Sequence, residues 1–330
     1  PSESPGWPRM LLRSAAFVAS IASLVPLLRE PSASEELSAM SRHRRRKGAV
    51  SVEASEYVLY YEAPRPEAVD EDSPRPPVVI RREDLPDRAP GAVRILLVSD
   101  THGREDSLGV LPSADVFIHA GDILSGSKAT DGGGNLKALK SFNEWLGAVD
   151  APQKFVIGGN HDNFLEQAGM ERVRKLLSNC TYLEFSGARC RLPELDLGRD
   201  LVVYGVPYSE GTSWNDGFRH SCPPEELLRA SCRNIAEEVA DGDDGNGVDI
   251  LITHGPSPHI ARELRPSLLH VHGHIHKGHG IYLPGDIGVP VWGGEPSRVE
   301  CLTVCASVLD NSYRPRFEPI LIDVPVGIAV

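Results

Sequence analysis

The sequence predicts an α/β layered domain over residues 91 to 328, and three observations carry that expectation. From Ala92 onward, short β-branched runs alternate with helical stretches, the pattern of strands and helices packed in layers. These runs end in Gly, Asp or His, residues suited to the turns that bound strands. Five of them end in a polar cluster, and in α/β sheets ligands bind beyond the carboxyl ends of the strands.

Taken in order, "VRILLVSD" (93–100), "ADVFIHAGD" (114–122) and "QKFVIGGNHD" (153–162) read as buried strands, with "NLKALKSFNEWLGAV" (135–149) an amphipathic helix between the second and third. A helix follows near 163–178. Further strands are expected at "TYLEF" (181–185), "LVVYGVPYS" (201–209), "VDILITHG" (248–255) and "LLHVHGHIH" (268–276), with a helix near 223–240. "RVECLTVCASVL" (298–309) and "EPILIDVPV" (318–326) supply the closing strands. "DGDDGNG" (241–247) lacks the distal Glu and the spacing of an EF-hand loop, so it reads as an acidic surface loop. There is no internal repeat.

Residues 1–90 read as leader and flexible Pro-rich, basic linker, with "PRPEAVDEDSPRPP" (64–77) and "RHRRRK" (42–47) as its marks. The apolar stretch at 11–28 is interrupted by Arg13 and Pro26, too broken to span a membrane stably. A cytoplasmic location is favoured, with an organellar or secretory one the alternative if residues 9–30 act as a leader.

The chain of 330 residues is 41% hydrophobic and 24% charged, enough for a sizeable core. Its net charge of -12 argues against binding a nucleic-acid polymer, which needs clustered Lys and Arg to neutralise phosphates. The six cysteines, Cys180, Cys190, Cys222, Cys232, Cys301 and Cys305, form no C-x-x-C pair, so zinc-ribbon and redox readings lack support and ordinary thiols are expected.

The chemistry concentrates at the five polar clusters. "SDTHG" carries Asp100 and His102, "HAGD" Asp122, "GGNHD" Asn160 and His161, "THG" His254, and "GHIH" His274 and His276. An extended chain projects residues i and i+2 to one side, so Asp100 with His102, and His274 with His276, can present two donors together. Carboxylates, imidazoles and one amide oxygen suit divalent Mn, Fe, Zn or Mg, and the thiolates of a structural zinc site are missing from the set. The competing reading is a set of polar strand ends with no shared ligand. It leaves a buried group of acids and imidazoles with a large desolvation cost. For His43, His220, His259 and His270 that ordinary reading stands, and His119 is expected in the core, bonded to backbone. His272 and His279 are candidates for orienting a ligand.

The ordered series D-x-H, GD, GNHD, H, GHxH resembles the calcineurin-like metallophosphoesterase family. Within it, "FIHAGD", "YGVPYS" and "HVHGHIHKGHG" are most similar to the small brain-type, class III cyclic nucleotide phosphodiesterase-like proteins. The resemblance implies a four-layer αββα sandwich with a dinuclear metal site at the strand ends. It implies that Asp100, His102 and His276 hold one metal, that Asn160, His254 and His274 hold the other, and that Asp122 bridges them. His161 matches the family's histidine that contacts the phosphate and assists the leaving group. Two divalent ions less two Asp charges leave a field near +2, which lets an acidic protein bind an anion and acidifies a bridging water into a hydroxide nucleophile.

The function implied is a metal-dependent phosphoesterase, a phosphodiesterase on small nucleotides or cyclic nucleotides. The alternatives are a phosphomonoesterase or protein phosphatase, and a low-turnover nucleotide-binding scaffold. Tyr208 and Trp214, in the Gly- and Ser-rich stretch 205–218, are candidate substrate contacts, and Phe218 offers a further ring there. The sequence leaves the oligomeric state open.

Overall fold

The computed structural model describes residues 56–64, 76–126, 132–195, 197–209, 215–219, 247–286 and 301–326. The basic run at 42–47, the apolar stretch at 11–28, the helix expected near 223–240, and Trp214, His43, His220, Cys222 and Cys232 lie outside these residues. The acidic loop at 241–247 does too, except for Gly247.

Two sheets face each other. The first contains β1 (Tyr57–Glu62), β2 (Val78–Arg81), β3 (Ala92–Val98), β4 (Val116–His119), β5 (Gln153–Val156), β6 (Thr181–Tyr182) and β13 (Ile320–Pro325), in the order β2-β1-β13-β3-β4-β5-β6. The second contains β7 (Ser186–Cys190), β8 (Leu201–Val206), β9 (Ile250–Thr253), β10 (Leu269–His272), β11 (Gly280–Tyr282) and β12 (Thr303–Cys305), ordered β11-β12-β10-β9-β8-β7. Strands β3, β4, β5 and β6 are mutually parallel, as are β8, β9, β10 and β12. Each parallel run therefore ends all its carboxyl termini at one edge.

The period of two along each strand divides the core into layers. Ile95, Leu97, Val116 and Ile118 point inward and meet Val203, Ile250, Ile252, Val271 and Val304 of the opposite sheet. Leu96, Val98, Phe117 and Val156 point outward, against α1 (Gly132–Ala148), α2 (Asn163–Ala168) and α3 (Met170–Leu176), where Leu139, Phe142, Leu146, Phe164 and Val173 cover them. Tyr204, Val206 and Leu251 do the same under Ile260 and Leu264 of α4 (Pro258–Leu264). Helix, sheet, sheet, helix is the four-layer order expected from the resemblance.

Several elements differ from expectation. The linker assigned to residues 1–90 contains β1 and β2, and β1 pairs in parallel with β13 from Leu59↔Ile320 to Glu62↔Asp323, so the sheet begins at Tyr57 rather than near residue 91. The apolar side chains of "YVLYY" (57–61) were obscured by the proline-rich sequence around them. The helix expected over 163–178 is broken at Gly169, whose φ of 77° lies in the left-handed region that ends helices. "TYLEF" gives only the two residues of β6 before the chain turns at Phe185. The chain then forms β7, whose "SGARC" carries no β-branched residue and, among the described strands, pairs with β8 alone. Cys180, Cys190 and Cys305 are free thiols.

Candidate metal centre

Five loops leave the strand ends. The loop after β3 carries Asp100 and His102, that after β4 Asp122, that after β5 Asn160 and His161, that after β9 His254, and that after β10 His274 and His276. The two sheets meet here: the His274 N–H donates to both Asp100 carboxylate oxygens, at 3.1 and 3.0 Å. Asp100, His102, Asp122 and His274 all have φ between 46° and 63°. Such conformations cost about 1 to 3 kcal/mol each and persist where surrounding structure holds them, characteristically at functional sites. Glycines make the close approach possible. A methyl on Gly159 would strike the Asp122 carboxylate, and one on Gly273 would strike Ser99 and Asp100.

Among the described residues, three groups bring donor atoms within 4.8 Å of one another: Asp100 with His102 and His276, His102 with Asp122 and His161, and Asp100 with Asp122 and His254. Asn160 joins them through its Oδ1, 3.0 Å from His254 Nε2 and 2.9 Å from His274 Nδ1. The structure thus brings together all seven residues singled out as ligands, and His161.

The donor chemistry tests whether a cation fits. His102 Nδ1 donates to the Leu124 carbonyl at 3.1 Å, His254 Nδ1 to Ala120 at 2.9 Å, and His276 Nδ1 to Asp310 at 3.0 Å. Each Nδ1 therefore carries a proton, and in the neutral ring each Nε2 presents a lone pair. These nitrogens face oxygens: His102 Nε2 lies 3.6 Å and His254 Nε2 3.3 Å from Asp122, and His276 Nε2 lies 3.3 Å from Asp100. Lone pair against carboxylate, buried on both sides, is repulsive unless a proton or a metal ion lies between. Backbone carbonyls that fix the tautomer from behind are the usual support of a metal-binding imidazole.

Electrostatics agree. Burial would raise the Asp100 carboxyl, but the hydrogen bond from His276 and the surrounding imidazoles hold it well below the usual carboxylate range. Asp122, also buried, is held low by His254 and His161. Burial drives His102 down to about 3, and His161 and His274 to about 4. His254 is buried as well, yet Asp122 lifts it to about 9.

Supporting residues that sequence reasoning missed complete the site. The Ser307 hydroxyl donates to Asp100 Oδ2 at 2.7 Å. Asp162, the last residue of "GGNHD", accepts from the N–H groups of Ile123 at 3.1 Å, Leu124 at 2.8 Å and Gly159 at 2.8 Å, tying the Asp122 loop to the Asn160 loop. Asn215 Nδ2 and the Tyr313 hydroxyl lie 3.2 and 3.4 Å from His161 Nε2. Asp162 closes the "GGNHD" motif and Asn215 lies in the Gly- and Ser-rich stretch 205–218, whereas Ser307 and Tyr313 carry no spacing signal.

Other predicted residues fall elsewhere. His119 is buried, but its Nε2 meets the Thr101 hydroxyl at 3.1 Å, a side-chain partner instead of the backbone expected. His279 donates to the Ser307 carbonyl at 2.9 Å, one step behind Asp100. His272 follows the inward Val271 and so faces the outer side of β10, beside His270 at 5.6 Å. Its Nδ1 meets the Gly273 carbonyl and none of the ligands' side chains. Tyr208 sets its ring edge-on to His259 at 6.2 Å and packs with the Tyr204 cluster. Phe218 is a core residue packed over Gly158.

A four-layer sandwich whose strand ends converge on carboxylates, imidazoles and one amide oxygen defines a metal-dependent phosphoric ester hydrolase. The calcineurin-like phosphoesterase profile matches residues 93–278, over half of the chain, and the chain belongs to that family, whose members use two divalent metals. Metallophosphoesterase domain-containing protein 1 of Homo sapiens is 30% identical over 76% of this chain and 78% of its own length. The Mus musculus protein of the same name is 29% identical over 87% of this chain and 89% of its own. The solved NAD nucleotidase of Haemophilus influenzae superposes with a TM-score of 0.33 at 15% identity, over 70% of this chain and 50% of that one, too loose an overlap to add to the assignment.

Proposed function

We propose that this chain is a phosphodiesterase of small nucleotide or cyclic nucleotide esters, with Asp100, His102 and His276 holding one divalent ion, Asn160, His254 and His274 the other, and Asp122 shared between them. The observation that carries the ligand assignment is the set of three imidazole Nε2 atoms, each on a ring whose Nδ1 is held by a backbone carbonyl, that face buried carboxylates across 3.3 to 3.6 Å. The substrate class rests on the resemblance of the motifs to cyclic nucleotide phosphodiesterases.

When bound, the two ions supply Lewis acidity toward water and phosphate oxygens. The protein's own residues do the rest. Asp100 and Asp122 neutralise only half of four positive charges, and the neutral Asn160 amide avoids removing more, so the pocket stays attractive to an anion. The Leu124, Ala120 and Asp310 carbonyls fix three rings before substrate arrives, so little reorganisation is needed during the reaction. His161 keeps its Nε2 4.0 Å from Asp122, at the rim of the ligand group, where it can hand a proton to the departing oxygen. No helix among the described residues is long and apolar enough to cross a membrane.

The test is a panel of 2′,3′- and 3′,5′-cyclic nucleotides, bis(p-nitrophenyl) phosphate and p-nitrophenyl phosphate, assayed with protein loaded with Mn, Mg, Zn or Fe. Preferential turnover of the diesters supports the reading. Preference for p-nitrophenyl phosphate would make it a phosphomonoesterase. Binding of AMP or GMP without turnover of any ester would make it a scaffold.

A further inference from the structure

Just after β12 the chain crosses from one sheet to the other, behind the proposed metal centre. Cys305 ends β12 opposite His272, and the Ala306 N–H donates to the His272 carbonyl at 2.8 Å. Ser307 then bridges in parallel with Ser99 beyond the end of β3, and the Val308 N–H donates to the Ser99 carbonyl at 3.1 Å. His279 fastens the crossing: its Nδ1 donates to the Ser307 carbonyl at 2.9 Å and its ring stacks on Phe317 at 4.8 Å. Ser307 is fully buried and fixed against Asp100.

The two oxygens of Asp100 are treated unequally. Oδ2 accepts the Ser307 hydroxyl at 2.7 Å and shares the His274 N–H at 3.0 Å, and a methyl on Gly273 would strike it, so backbone closes over that oxygen. Oδ1 shares the same N–H at 3.1 Å and faces His276 Nε2 at 3.3 Å. An ionised carboxylate only accepts, so the hydroxyl donates, and its bond to a charged oxygen is of the stronger kind. The backbone at φ 57° sets where the Asp100 side chain starts, but the last torsion of an aspartate is broad and needs a partner to fix the carboxylate plane. The Ser307 side chain bonds none of Asp122, Asn160, His254 and His274; its other neighbour is the Cys305 thiol at 3.7 Å.

We propose that Ser307 is a positioning residue for the ion assigned to Asp100, His102 and His276: its hydroxyl locks the Asp100 carboxylate so that Oδ1 alone is the ligand atom. This deepens the ligand assignment and rests on it, whichever ester is the substrate. The two halves of the centre then differ, because only one of them depends on this hydroxyl.

Ser307→Ala removes the hydroxyl. Ser99→Ala removes a neighbouring buried one that donates to the Gly121 carbonyl at 3.3 Å, and serves as the control for general loosening. Calorimetric titration of metal-stripped protein with Mn²⁺ reads each equivalent bound. Expected in Ser307→Ala is one equivalent weakened about 10- to 100-fold, the usual effect of losing a residue that orients a ligand, with the other unchanged; Ser99→Ala keeps both. Should the alanine variant not fold, Ser307→Cys, of similar shape but a weak donor, carries the same test. Wild-type affinity at both equivalents, equal weakening of both, or equal losses in the Ser307 and Ser99 variants overturns the proposal and leaves the ligand assignment standing. Wild-type protein that takes up no Mn²⁺ overturns the ligand assignment itself, and this inference with it.

Discussion

Removing the Asp162 carboxylate should cost more stability than its position beyond the ligand set suggests. It accepts three buried backbone N–H groups, two from the Asp122 loop and one from the Asn160 loop. A buried donor left unpaired costs about 1 to 3 kcal/mol. Asp162→Ala orphans all three and relieves the cost of burying the charge, so a net loss of about 3 to 6 kcal/mol is expected, a large part of the roughly 5 to 15 kcal/mol that holds a domain folded. Asp162→Asn can keep its oxygen toward Ile123 and Gly159, but must turn its NH2 against the Leu124 N–H. One lost bond and one donor–donor contact predict about 2 to 3 kcal/mol. Urea unfolding in EDTA measures both without the added linkage of bound metal. Melting temperatures should fall by roughly 2 to 4 °C per kcal/mol. An alanine variant no less stable than the asparagine variant, or both within about 0.5 kcal/mol of wild type, refutes the reasoning.

Two further outcomes separate the roles assigned around the centre. Asp122→Asn should lower metal occupancy and turnover together, whereas His161→Ala should retain metal and lose about 10² to 10⁴ in turnover; elemental analysis beside rate assays reads both, and equal metal content and rates in the two variants contradict the assignment. In metal-stripped protein, the rise of His254 from 6.5 to about 9 contributes stability that is complete below pH 6.5 and is lost as pH climbs through about 9. A metal must displace that proton, so metal affinity should strengthen over the same window, and chelator competition that gives a flat profile there would argue against His254 as a ligand.

The centre was more legible in the sequence than the framework around it. Asp100, His102, Asp122, Asn160, His254, His274 and His276 each follow an apolar run, and a parallel sheet turns such runs into loops at one edge, so local pattern sufficed. Strands β1 and β2 were hidden because the partner of β1, β13, lies more than two hundred residues away, β2 pairs with β1 alone among the described strands, and prolines surround them. Asp162, Ser307 and Tyr313 act through tertiary geometry: a carboxylate reaching across two loops, a hydroxyl 207 positions from Asp100, and a ring placed by a turn. Composition and periodicity carry no trace of such contacts. His119 shows the converse, since its burial was readable and its partner was not.

The placement of β13 between β1 and β3 bears on how the molecule is made. Pro325 pairs with Ala92 and Ile320 with Leu97, so the strand that carries Asp100 at its tip lacks one flank until residues 320–325 have left the ribosome. Synthesis must therefore pass Pro325 before the first sheet can close, and long-range pairing of this kind is slow and exposes sticky edges meanwhile. Nascent chains stalled before Ile320 should be held by chaperones, with the hairpin of β1 and β2 unanchored and no cage yet able to retain a metal.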